Sequence, residues 1–150
     1  NNTMLIYTVG TFDLLHVGHL ALLEYCYTLG DVTVGVASDE VVNSYKLHVP
    51  IIPLAHRMEM LKALRCVTNV RPYYELEYVS ACKELKPDIF IIGEDWGREK
   101  HNTNVETYLE ARGKRIVKVS YNPQTSSTKI KQIIIDQSIR GKYITQEISL

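Results

Sequence analysis

The apolar run Met4-Leu5-Ile6-Tyr7-Thr8-Val9 passes directly into Gly10-Thr11-Phe12-Asp13-Leu14-Leu15-His16-Val17-Gly18-His19. The helix-like segment Leu20-Ala21-Leu22-Leu23-Glu24-Tyr25 follows at once. This handover constrains the fold more than any other stretch, because a buried strand that yields to a helix opens a parallel α/β sheet. His16 and His19 stand three residues apart at the handover, a spacing that puts two side chains on one helical face. Gly18 between them leaves no side chain in the path of a ligand approaching the backbone. The free N–H groups of the first helical turn, at the positive end of its dipole, favour an anion. Two imidazoles beside such a helix start make a phosphate site.

Strand-like and helix-like segments then alternate to the end of the chain. Further strands are expected at Val32 to Ala37, Asn69 to Pro72, Asp88 to Ile92 and Arg115 to Val119. Helices are expected at Leu20 to Leu29, Leu54 to Leu64, Tyr78 to Leu85, Val105 to Arg112 and Ser127 to Gln137. Gly30, Pro87 and Gly113 fall where helices should stop. The pattern predicts a single α/β domain, a Rossmann-like, doubly wound, parallel five-stranded sheet with helices on both faces. Residues 1–140 form that domain in this reading, and 141–150 are a tail or an oligomer contact. Ligands of such sheets sit beyond the carboxyl ends of the strands, so the loops after strands one, two, four and five are the ones to search.

Composition narrows the function. A length of 150 residues suits one core. Lys plus Arg and Asp plus Glu are 17 each, which argues against a nucleic-acid partner held on a basic face. Cys26, Cys66 and Cys82 are odd in number and far apart. They point to reduced, buried thiols in a cytoplasmic protein, with no disulfide framework and no metal site. No signal peptide and no membrane-spanning run is evident. Asn1-Asn2 at the start leaves an upstream segment possible.

Three loops add candidates. The connection from Ser38-Asp39-Glu40 through Lys46 and His48 to Pro50-Ile51-Ile52-Pro53 is too long for a plain link, which marks a working loop. Ile91-Ile92-Gly93-Glu94-Asp95-Trp96-Gly97 sets a lone tryptophan among charges at a strand's carboxyl end, a setting poorly explained by core packing, with cover for the sheet edge as the alternative for Trp96. Ser126-Ser127-Thr128-Lys129 offers hydroxyls and a helix start. Ser126 as an ordinary helix cap is the alternative, and both roles can coexist.

Gly10 to His19 resembles the His-x-Gly-His nucleotidylyltransferases, nearest their cytidylyltransferase branch and, within it, the glycerol-3-phosphate cytidylyltransferases. Gly93-Glu94-Asp95-Trp96 is similar to the Gly-Asp-Asp-Trp of that group, and Tyr121 to Lys129 to its Arg-Thr-x-Gly-x-Ser-Thr-Thr element. The resemblance covers about Tyr7 to Lys131. It implies that Gly10, Thr11, Phe12, Asp13, Gly18, Gly93, Ser126, Ser127, Thr128 and Lys129 hold the nucleotide. Core packing is the alternative for Phe12, and turn orientation for Asp13. The catalytic group becomes His16, His19 and Lys46, the last standing where the family has a lysine for the triphosphate. Asp39, Asp95 and Trp96 are assigned to the acceptor, with Arg98 or Lys100 near its phosphate. Arg57 and Arg65 match arginines of a family helix. Tyr121 and Gln124 depart from the pattern, standing where it carries arginine and glycine.

The implied reaction joins CTP to a small phosphorylated alcohol, glycerol 3-phosphate first among them, with release of pyrophosphate. Magnesium would arrive with the nucleotide, and a homodimer is expected. Three alternatives stay open: an adenylyltransferase of the archaeal FAD synthetase type, a cytidylyltransferase for another phosphorylated molecule, and a non-catalytic nucleotide-binding module.

Overall fold

The computed structural model describes residues 3–93, 96–120 and 126–139. Its strands are β1 (Leu5–Gly10), β2 (Asp31–Ala37), β3 (Asn69–Tyr73), β4 (Ile89–Gly93) and β5 (Arg115–Val119). Between and after them run α1 (Val17–Leu29), α2 (Asp39–Lys46), α3 (Leu54–Lys62), α4 (Val79–Leu85), α5 (Lys100–Glu110) and α6 (Ser127–Ile139). The strands form one parallel sheet in the order β3-β2-β1-β4-β5. The chain works outward from β1 to β3, then returns to lay β4 against β1, with Ile6 opposite Ile89 and Thr8 opposite Ile91. Strand order therefore reverses between β1 and β4. The loops leaving these two strands flank the crevice where ligands of such sheets bind.

Alternation along the strands builds a core on each face. Ile6, Val32, Val34, Val36, Ile89 and Ile91 pack against Leu22, Leu23 and Cys26 of α1 and Leu61 of α3. On the other face Tyr7, Phe90 and Ile92 meet Cys82 of α4 and Val105 and Leu109 of α5. Gly35 is required here: a Cβ on it would come within 2.6 Å of the Tyr7 hydroxyl. The buried Tyr7 ring uses the room that a side chain on β2 would fill.

All five strands lie within one residue of the bounds expected from sequence. The helices depart more. α1 begins at Val17 instead of Leu20, because His16 is extended (φ −143°, ψ 178°) and caps the helix from outside. α5 begins at Lys100 instead of Val105, its first turns too polar to show an apolar period. The larger correction is α2, which occupies the first half of the connection expected to be a loop. Ser38 caps it by accepting the Val41 N–H at 3.1 Å, Asp39 and Glu40 sit in the first turn, and Lys46 ends it. Leu47 closes it in the left-handed conformation (φ 59°). Among the described residues, no helix is long and apolar enough to cross a membrane.

Candidate active site

At the head of α1 the two histidines cap the helix together. The Gly18 N–H donates to His16 Nδ1 at 3.0 Å, and the His16 N–H donates to His19 Nδ1 at 3.3 Å. The rings stack with centroids 3.9 Å apart and planes 29° from parallel. Sequence spacing anticipated a shared face; the structure makes one residue the cap and the other the third helical position. Because both Nδ1 atoms accept, the proton of each neutral ring lies on Nε2. Protonating Nδ1 would break the cap, so the geometry favours neutral rings. Burial lowers the His16 pKa. Burial, then the neighbouring His16 and Lys46, push His19 down to about 4, with Asp13 pulling the other way. The pair thus offers two neutral N–H donors at neutral pH.

The loop leading to it is held under strain. Phe12 (φ 55°) and Leu14 (φ 49°) are left-handed without being glycine. Phe12 is buried in the core, its ring 5.3 Å from that of His19, so it packs instead of facing solvent. A Cβ at Gly10 would stand 3.0 Å from the Phe12 ring. Gly10 lets the strand run beneath that ring.

Asp13, assigned to the nucleotide by resemblance with turn orientation as the alternative, has its carboxylate engaged within the protein. Its oxygens accept the N–H groups of Ile51 and Ile52 at 2.8 and 2.9 Å, and Lys131 Nζ lies 3.5 Å away. Burial alone would raise its pKa, but the Ile51 and Ile52 N–H groups and Lys131 prevail and hold it below the ordinary value. Asp13 ties the β1 loop to the segment entering α3. Its carbonyl accepts the Ser127 hydroxyl, which docks α6 on the same loop.

Arg57, 1% exposed, is the residue that sequence reasoning undervalued. Its guanidinium donates to the carbonyls of Ile52 (2.8 Å), Thr11 (2.8 Å) and Ala37 (2.7 Å) and to the Asp39 carboxylate (2.6 Å). One side chain fastens the loops after β1 and β2 to the start of α3. Asp39, expected to hold the acceptor, is engaged in this pair. The available signal was the i,i+4 placement of Arg57 with Leu61 on the buried face of α3.

Lys46 lies at the end of α2, its ammonium 5.7 Å from the Tyr45 ring, and its charge reaches His19. The Tyr45 hydroxyl is 3.4 Å from that of Thr11, so α2 leans on the β1 loop. At α6 the Ser126 hydroxyl accepts the Lys129 N–H at 3.0 Å, the cap role foreseen for it. The Ser127 hydroxyl is engaged with Asp13, while Thr128 and Lys129 are exposed. Lys131, assigned no part from the sequence, is the α6 cation that turns toward the β1 loop.

After β4, the Gly93 carbonyl accepts the Trp96 N–H at 3.2 Å. Trp96 packs its ring 5.7 Å from both Phe90 and Tyr78 and donates its indole N–H to Glu106 at 2.8 Å. It is a wall of the second core as well as part of the crevice rim. Beside it, Leu76, Glu77, Tyr78, Lys100, His101 and Asn104 are among the residues lining a cleft of about 210 Å3. Asp95, Glu94, Tyr121, Gln124 and the 141–150 segment lie outside the described residues. Among the described residues, no group of three or more His, Cys, Asp or Glu side chains is placed to hold a metal ion.

The family pattern described as cytidylyltransferase-like matches residues 7–133. An FAD synthase of Methanopyrus kandleri is 32% identical over 142 residues, covering 89% of this chain and 93% of that protein. The bifunctional protein HldE of Geotalea uraniireducens is 34% identical over 138 residues, covering 91% of this chain but 28% of that longer protein. Among solved structures, a lipopolysaccharide core biosynthesis protein of Thermoplasma volcanium superposes with a TM-score of 0.67 at 24% identity, covering 81% of this chain and 98% of that one. The last shares the fold.

Proposed function

Because this chain belongs to the cytidylyltransferase-like family and is a nucleotidyltransferase, we propose that it transfers the adenylyl group of ATP to the phosphate of a flavin mononucleotide. The observation that carries the reaction class is the stacked pair His16 and His19, each with Nε2–H free to donate at a helix N-terminus. An acceptor phosphate oxygen forms a bond to the α-phosphorus, the α–β bridging bond breaks, and pyrophosphate leaves with both electrons of that bond. A phosphomonoester has its second pKa near about 6, so the nucleophile arrives charged and needs no general base. The chemistry asks for positioning and for charge stabilisation at a crowded phosphorus.

The residues divide that work. His16 and His19 donate to the α-phosphate oxygens as charge builds there. Lys46, at the end of a helix leaning on the β1 loop, neutralises the β- and γ-phosphates and the departing pyrophosphate, together with Lys129 and Thr128 in the first turn of α6. Magnesium enters as part of the MgATP substrate. The cleft beside Trp96, walled by Tyr78 and His101 and carrying Lys100, suits a flat aromatic acceptor bearing a phosphate. Homodimerisation and a cytoplasmic location belong to the same proposal.

The adenylyl reading is supported by the FAD synthase relatives, whose similarity spans nearly both full lengths. The second reading, CTP with glycerol 3-phosphate, is favoured by one observation, the agreement of Gly10 to His19 and Gly93 to Trp96 with that branch. Pyrophosphate release from ATP and from CTP, each with flavin mononucleotide and with glycerol 3-phosphate, separates them. Turnover with ATP and flavin is the expected result. Turnover with CTP and glycerol 3-phosphate alone would move the assignment to the second reading, and no turnover with any pair would remove both.

A further inference from the structure

We propose that a second cleft, at the opposite end of the strands, binds a small organic phosphate or comparable dianion with an aromatic body. Cys82, Lys86, Pro87, Tyr108, Leu109, Arg112 and Lys114 line it, around about 330 Å3. Lys86 and Pro87 lead into β4, and Arg112 and Lys114 lead into β5. The cleft therefore opens at the amino ends of these strands, away from the crevice that holds the histidines. It is independent of the proposed reaction.

Its chemistry is two-sided. Cys82, Pro87 and Leu109 are buried and make an apolar floor, large enough for the lower end of small-molecule sites. The rim carries three cations and no carboxylate, although the chain as a whole has 17 basic and 17 acidic side chains. Arg112 lies with its guanidinium carbon 3.7 Å from the centre of the Tyr108 ring and donates one N–H to the Tyr108 carbonyl at 3.2 Å. Its remaining donors are available for a phosphate fork. Lys86 is fixed in the left-handed conformation (φ 52°) by its backbone N–H on Cys82, so its side chain departs from the rim in a set direction. Lys114 is 3.3 Å from Asp88, a carboxylate that also accepts the Leu5 N–H at 2.8 Å. Asp88 offsets one rim cation and leaves Lys86 and Arg112 in excess. Three cations are too few for a nucleic-acid backbone but suit one dianion. The apolar floor excludes a bare inorganic ion as the best occupant. The Cys82 thiol, pushed up to about 12 by burial, stays protonated and adds contact without covalent chemistry.

The test is titration calorimetry of the full chain with 1-naphthyl phosphate, inorganic phosphate and 1-naphthol. Naphthyl phosphate should saturate a site distinct from the one flavin mononucleotide occupies, and bind there at least tenfold more tightly than either half-molecule. Lys86→Glu/Arg112→Glu should abolish that binding while circular dichroism and pyrophosphate release from the nucleotide stay unchanged. Should the double reversal unfold, Lys86→Gln/Arg112→Gln takes its place. Equal binding of phosphate or naphthol alone, competition by ATP, or full binding by the variant would overturn the proposal. So would a wild-type dimer that becomes monomeric in the variant while naphthyl phosphate fails to bind, since the cleft would then be an interface between copies.

Discussion

His16 has two separable jobs, and substitution can divide them. As a cap its Nδ1 holds the Gly18 N–H; as a proposed catalytic residue its Nε2–H meets the α-phosphate. His16→Ala removes both and should cost about 1 kcal/mol of stability for the lost cap. His16→Asn restores a capping oxygen but has nothing at the Nε2 position. Both variants, and His19→Ala, should lower kcat by roughly 10² to 10³ with little change in nucleotide affinity. Steady-state kinetics beside urea denaturation reads both effects, and near-normal turnover in His16→Asn would reduce His16 to a cap. His19 also predicts a pH dependence of stability. An unfolded imidazole protonates near 6.5 and folded His19 only near about 4. The unfolded state therefore binds more protons in that window, and stability falls as pH drops through it. Asp13, held below the ordinary carboxylate value, adds a loss of the same sign at lower pH. Urea midpoints should decline from pH 7 to pH 4, and less steeply in His19→Gln; an equal slope would show that His19 does not set it.

Short elements were the hard part to read from sequence, and α2 shows why. Its eight residues bury only Val41 and Val42, too few for an apolar period to stand out. The caps were the better guide: Ser38 before Asp39 and Glu40 is a helix start by its hydrogen bonds and charges. Ser38→Ala should cost about 1 kcal/mol and, because Lys46 is at the far end of the same helix, raise KM for the nucleotide while sparing kcat. A KM unchanged in that variant would mean Lys46 is not positioned by α2. Arg57 was hard to read for a different reason. Its four acceptors come from three separate segments of the chain, and only the tertiary fold reveals them. Arg57→Met keeps the volume and deletes the donors, leaving three carbonyls and Asp39 without them. Asp39 keeps some solvent access, so the loss should be about 3 kcal/mol and not the full figure for a buried charge left alone. Chemical denaturation checks this, and a loss under 1 kcal/mol would show that water replaces the arginine.

At the scale of the molecule the sheet was legible because four of the five strands carry a dense β-branched run, β3 with Val70 alone being the exception, while the order of strands had to come from the structure. That order matters for the site: it brings the loop of His16 and His19 beside the loop of Gly93 and Trp96, although 77 residues separate His16 from Gly93 along the chain. A nucleotide bound across this crevice touches both halves of the sheet and must be released before either half unfolds. Binding should therefore raise the melting temperature of the whole domain. At a nucleotide concentration 100-fold above Kd the linkage is about 2.7 kcal/mol, which for a domain of this size corresponds to roughly 5 to 10 °C. On the adenylyl reading, MgATP should give a larger shift than MgCTP at equal concentration. His19→Ala should keep most of that shift, since its contact strengthens in the transition state and contributes little to ground-state binding. Lys46→Ala should lose much of it, since a lysine on the β- and γ-phosphates acts in both states. Differential scanning calorimetry on the three proteins with both nucleotides decides the matter. A larger shift with MgCTP would transfer the assignment to cytidylyl transfer, and a shift abolished by His19→Ala alone would make that histidine a ground-state binder.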